Sequence, residues 1–193
     1  MQITTNFQLK EFSDRPAELL TPIQLFMLRN LCSTLECIRA FLSNHYKTNI
    51  SIKVTSGVRL PSDINRLRKA GYNPSETGDH LFGNIVKLRS KPKIKLFGKY
   101  YVYSVGAADI IPACGPEDAF ALMLPYFNRQ TGEVNLPEGT IKVGQMILEK
   151  KINSWLHISN PPELVYSDQM IASFFNRKHF LKSLDNGGSY VTV

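Results

Sequence analysis

Thr77-Gly78-Asp79-His80-Leu81-Phe82-Gly83, Gly106-Ala107-Ala108-Asp109-Ile110-Ile111, and Gln145-Met146-Ile147-Leu148-Glu149 followed by Ser154-Trp155-Leu156-His157-Ile158-Ser159 organise the reading of this chain. Together they offer two imidazoles, one carboxylate beside an apolar run, and a second carboxylate held back. That is the inventory of a catalytic zinc site, which takes three protein ligands and leaves one position for a water whose pKa the metal lowers. His80, Asp109 and His157 are the expected ligands, and Glu149, off the metal, is the expected general base. Asp109 lies between small residues and Ile110-Ile111-Pro112, where a carboxylate is costly unless a metal or an arginine such as Arg59 compensates it.

Glu149 and His157 are eight apart across an expected turn. Pairing about Asn153 would set them directly opposite, with Trp155 and Ser159 on the same face as His157. A one-residue slip would separate them. Lys150 and Lys151 read as solvated turn residues.

Outward from these stretches, the chain reads as one α+β domain with a small antiparallel sheet and flanking helices. Thr21-Pro22 is an N-cap followed by proline at the first helical position. Over residues 23–42 the apolar positions recur at three and four, which predicts an amphipathic helix; a polar turn is expected at 44–49. Residues 50–55 alternate and predict a strand. Residues 61–69 predict a short helix capped by Ser62 and carrying Asn65, and 116–127 another helix. Residues 141–149 and 154–159 read as two strands of a hairpin, 167–180 as a last helix, and 183–193 as an exposed tail.

At 193 residues and 43% hydrophobic content, the chain is long enough to bury a core without staples. No run approaches a membrane span, and no basic start leads an apolar stretch as in a secretory signal. The three cysteines, Cys32, Cys37 and Cys114, lack metal-finger spacing and read as buried thiols in a reducing compartment. A net charge of +7 favours an anionic partner without choosing among wall polymer, nucleic acid and membrane surface. Zinc-finger, Walker-type and RNA-recognition signatures are absent.

The order and wording of the stretches resemble the M15 zinc peptidases, the D-Ala-D-Ala carboxypeptidase-like, hedgehog-like fold that includes many phage endolysins. His80-Leu81-Phe82-Gly83 is similar to the first half of that family's S-x-H-x-x-G-x-A-x-D segment, Ala107-Ala108-Asp109 to the second, and Trp155-Leu156-His157 to its W-x-H. Thr55-Ser56-Gly57-Val58-Arg59 resembles T-S-G-x-R, whose arginine holds substrate or the developing oxyanion, and Asn65 resembles the asparagine after it. Residues 145–149 resemble Q-x-I-x-E, and the opening at 6–12 resembles N-F-x-L-x-E-F. The resemblance implies a core over about 6–160, a zinc cofactor, and hydrolysis in the stem peptides of peptidoglycan, with Arg59, Asn65 and Trp155 toward the substrate. It also implies a place in the host cytoplasm before lysis or in a phage particle.

Two departures accompany it. The first histidine and the aspartate are 29 positions apart rather than seven, so an inserted hairpin is expected at about 84–105, with a C-terminal helix and tail over 161–193. The carboxylate that some members carry three residues before the last histidine is replaced by Ser154. The insertion holds Lys87, Arg89, Lys91, Lys93 and Lys95 at every second position, an expected one-faced basic stripe for an anionic polymer, or a solvated edge. The alternatives are a non-catalytic structural or wall-binding protein on the same scaffold, and a nucleic-acid binder using the basic insertion.

Overall fold

The structure is a computed structural model. It describes residues 1–13, 20–72, 74, 78–82, 85–87, 94–96, 99–103, 105–128, 130–150, 152–161, 180–185 and 189–192, with 85–87, 94–96, 99–103, 180–185 and 189–192 described as backbone. A short first helix, α1 (Leu9–Phe12), follows an N-terminal lead-in whose Phe7, Leu9 and Phe12 are buried. Next comes α2 (Pro22–Tyr46), opened by a reciprocal cap in which Thr21 Oγ1 accepts from Gln24 N and Gln24 Oε1 accepts from Thr21 N. It runs a turn further than its apolar periodicity predicts, because no breaker intervenes before Lys47, which ends it in a left-handed conformation at φ 54°.

The chain continues through β1 (Ile52–Ser56), α3 (Pro61–Lys69) and a 3-10 turn at Asp79–Leu81. The cap of α3 is Leu60 rather than Ser62: its N–H donates to Asp63 Oδ2 at 2.8 Å. Then follow β2 (Ile85–Lys87), β3 (Ile94–Leu96), β4 (Lys99–Tyr103), β5 (Ala107–Pro112) and α4 (Pro116–Met123). The helix expected over 116–127 stops at Met123; a 3-10 turn with Pro125 leads into β6 (Phe127–Asn128). The remaining elements are β7 (Glu133–Leu136), β8 (Gly139–Lys142), β9 (Gln145–Lys150), β10 (Ser154–Ser159), β11 (Phe180–Asp185) and β12 (Ser189–Thr192).

These elements make an α+β fold with one six-stranded sheet, ordered β1-β5-β10-β9-β11-β12, and two three-stranded sheets, β2-β4-β3 and β6-β7-β8. The large sheet is not wholly antiparallel as expected, since β11 runs parallel to β9. Residues 183–185 and 189–192 are strands rather than an exposed tail, and the last helix expected over 167–180 falls outside the described residues except for Phe180, which begins β11. The run 141–149 is not one strand: β8 and β9 belong to different sheets. They separate at Gly144, whose N–H donates to Ser159 O and where an added Cβ would lie 2.2 Å from Asn160 O.

Even-numbered residues of the central strands, Ala108, Ile110, Met146, Leu148, Leu156 and Ile158, join Leu28, Leu31, Leu35 and Leu42 of α2 and Ala119 and Phe120 of α4 in one buried core. Odd-numbered residues, Asp109, Ile147, Glu149, Trp155 and His157, occupy the opposite face. Among the described residues, no helix is long and apolar enough to cross a membrane. Cys32 lies in the core, where burial pushes its thiol pKa up and keeps it neutral.

The insertion is a three-stranded sheet rather than a hairpin. Lys87 pairs with Tyr101 and Lys95 with Tyr100, so the two described positions of the expected stripe lie on different strands, β2 and β3, rather than along one. Alternation holds only along an unbroken strand, and these two positions belong to separate strands with β4 between them in the sheet. Arg89, Lys91 and Lys93 lie outside the described residues.

Leu35 is fully buried on the α2 face that meets the sheet. Leu35→Ala is expected to destabilise the fold by about 2–5 kcal/mol, measured as a lowered urea midpoint with an unchanged slope.

Candidate metal centre

The central strands bring the first two site residues together by register. Asp109 on β5 pairs directly with His157 on β10, and across β5 it faces Ser56 on β1. That second pairing depends on a bulge: Val54 faces Ile110 and Ser56 faces Asp109, so Thr55 is the extra residue. Such a bulge re-aims the strand end, here toward the site face.

His80 reaches the same point from the 3-10 turn. The two ends of the 28-residue segment between it and Asp109 meet, because Gly106 N–H donates to Asp79 O at 3.1 Å and Ile85 pairs with Tyr103. Gly106 has φ +93°, and an added Cβ would lie 2.8 Å from the Phe82 ring. Gln24 Nε2 at the start of α2 donates to Phe82 O, and Asn160 Nδ2 donates to Met27 O and Val105 O. Helix, turn and sheet are thereby tied together around the insertion's two ends.

The result is a compact triangle. His80 Nε2 lies 3.1 Å from Asp109 Oδ1 and 3.2 Å from His157 Nδ1, and His157 Nδ1 lies 3.1 Å from Asp109 Oδ1. All three residues are buried, Asp109 being 9% exposed. His80 Nδ1 faces Gly57 O at 2.9 Å, and a carbonyl only accepts, so the neutral ring carries its proton there. Its Nε2 therefore presents a lone pair to Asp109 and His157. The three atoms then share one proton: His157 Nδ1–H is the donor, and it faces two acceptors, Asp109 Oδ1 and His80 Nε2. A cation would satisfy all three, and the group could hold a metal ion.

The electrostatics follow the same logic. Burial alone would raise the carboxyl pKa of Asp109, but the adjacent imidazoles of His80 and His157 outweigh it and hold the group far below the usual carboxylate range. Burial lowers the pKa of His80, and Asp109 does not fully offset it. For His157 burial also acts downward, yet the hydrogen bond and charge of Asp109, with smaller contributions from Asp79 and Glu149, carry the pKa above the ordinary value.

The other expected residues divide. Arg59 joins the cluster through Asp109: its Nη2 donates to Oδ2 at 3.0 Å. Glu149 is opposite Trp155, not His157, because the β9–β10 pairing is centred on Ile152 rather than Asn153, which moves each partner by two positions. The shift is an even one, so Glu149, Trp155 and His157 still share a face, with Glu149 diagonal to the histidine. Ser154 points to the other face, where its hydroxyl donates to Glu117 of α4. Asn65 is exposed on α3, and among the described residues no hydrogen bond joins it to the cluster.

Two participants escaped the sequence reading. One is the carbonyl of Gly57, which orients His80. The other is Asp79, a buried carboxylate whose charge acts on His157. Adjacency to His80 was the only available signal for Asp79, and a backbone carbonyl has no side-chain signature.

In the metal-free chain, NMR titration of the imidazoles is expected to place the His157 midpoint above 6.5 and that of His80 below it. A pKa raised on folding contributes stability that is full below the unfolded value and lost as pH rises through the folded one. The His157 contribution therefore fades upward from about 6.5. A bound divalent ion should abolish the His157 titration in that window. Compared with protein-family models, curated proteins and solved structures, the chain matches none of them.

Proposed function

We propose that the chain is a zinc-dependent peptidase that hydrolyses peptide bonds in the stem of bacterial peptidoglycan, as a D-Ala-D-Ala carboxypeptidase or endopeptidase of the endolysin type. The triangle of His80 Nε2, His157 Nδ1 and Asp109 Oδ1 carries this reading. Tetrahedral zinc with bonds of about 2.0–2.2 Å sets neighbouring donors about 3.3–3.5 Å apart, a few tenths of an ångström wider than the 3.1–3.2 Å seen here. Two imidazoles and one carboxylate also match zinc's preferred donors, and three protein ligands leave one position open, as catalytic sites require. The motif resemblance supplies the substrate class.

Zinc at this point supplies Lewis acidity and a lowered pKa for water at the open position. The chain's own residues supply the rest. Glu149 takes a proton from the attacking water as the new C–O bond forms, then gives it to the leaving amine as the C–N bond breaks. Trp155, directly across from Glu149, offers an aromatic wall beside the site for the substrate chain. The ligand face stays separate from the packed core because odd and even strand positions point to opposite sides.

Ser154 supports a second reading. Where some members of the family it resembles place a carboxylate, this chain has a hydroxyl turned toward Glu117 on the opposite face, which supports a non-catalytic, wall-binding use of the same scaffold.

The test is metal content followed by digestion. The parent should carry about one zinc per chain, and His80→Ala and Asp109→Ala little. Glu149→Gln should keep the zinc but lose about 100-fold or more in release of stem-peptide fragments from purified peptidoglycan. Bound zinc with no digestion by the parent would move the reading to the non-catalytic one, and no zinc even after loading would end the peptidase reading and leave the structural or wall-binding one.

A further inference from the structure

The segment Ser56–Arg59 encloses two of the three ligands from one side. Gly57 O accepts from His80 Nδ1, and Arg59 N–H donates to His80 O at 2.7 Å, so the same four-residue strap grips the His80 ring and its backbone. The Arg59 side chain then turns back on its own strand end. Its Nε and Nη2 donate to Ser56 Oγ at 3.0 and 2.8 Å, and Nη2 also donates to Asp109 Oδ2 at 3.0 Å.

The two oxygens of Asp109 are thus divided: Oδ1 faces both imidazoles and Oδ2 is held by the guanidinium. The strap has its own anchor, since Val58 N–H donates to Phe12 O at 2.7 Å. Gly57 lies so close to Phe12 that an added Cβ would fall 2.5–2.6 Å from its backbone. Phe12, buried like Phe7 and Leu9 of the same N-terminal lead-in, is the wall behind this strap.

We infer that Arg59 is a positioning residue for the metal site: held by Ser56, it keeps Asp109 a one-oxygen ligand aimed at the histidines. This inference rests on the metal-site reading and narrows it, because the resemblance would have sent Arg59 to the substrate. A planar fork fixed at both Nε and Nη2 has one orientation, which a flexible ammonium cannot reproduce. Outer partners of ligating carboxylates set metal affinity in this way, and their loss typically costs about 10–100-fold.

The two roles differ in sign. Removing a positive charge beside a divalent ion would, by Coulomb's law alone, tighten the ion. Removing a positioning contact weakens it.

The experiment titrates Zn2+ into the metal-free full-length chain by calorimetry and follows the visible absorption of bound Co2+, for the parent, Arg59→Met, Arg59→Lys and Ser56→Ala, with circular dichroism to confirm folding. The inference expects affinity lower by about 10–100-fold in Arg59→Met and a changed Co2+ band. Arg59→Lys and Ser56→Ala, which keep a positive charge, should also lose affinity by smaller factors. If Arg59→Met does not fold, the latter two variants decide alone. Parent-like or tighter binding in the folded variants overturns the positioning role while leaving the metal site standing. A parent that binds neither ion overturns both.

Discussion

Asp109 is a carboxylate taken out of water in the middle of a sheet, and most of the local architecture compensates that charge. Burial of an unpaired carboxylate is expensive, so the group needs partners on every side from which water is excluded. On one side β10 supplies His157 by direct pairing; on the other the bulged end of β1 supplies Ser56 and, three residues on, Arg59. His80 comes from outside the sheet altogether. The three lone pairs left at the centre are acceptable only with a proton or a metal among them, and that requirement links the fold to the proposed chemistry.

The sheet's two-residue period keeps this polar knot apart from the core. Ile110 and Asp109 are neighbours, yet one belongs to the apolar cluster under α2 and α4 and the other to the site. Shared parity also explains why the two-position error in the β9–β10 register left Glu149 on the site face, where a one-residue error would have removed it.

What could be read from residues alone was what depends on local chemistry. The period of α2, the Thr21-Pro22 cap and the residue types of the triad are properties of short windows, and the structure bears out the helix and gathers His80, Asp109 and His157. What could not be read depends on closure between distant segments. The meeting of Asp79 and Gly106, the bulge at Thr55 and the parallel docking of β11 on β9 have no signal within any one stretch. The basic stripe met a related difficulty: a period of two was carried from Lys87 to Lys95, which lie on separate strands.

The spacing of the three donors along the chain also bears on when the centre comes into being. The pairs are separated by 29, 48 and 77 positions, so no two are neighbours until β5 and β10 have paired and the insertion has closed. Contacts this distant pay their loop-closure entropy before they return anything, and they form late. An ion therefore meets these donors as a set only on an already folded chain, unlike a small finger domain whose closely spaced ligands let the metal nucleate folding. Loading of a metal at this centre would then be a maturation step that follows folding.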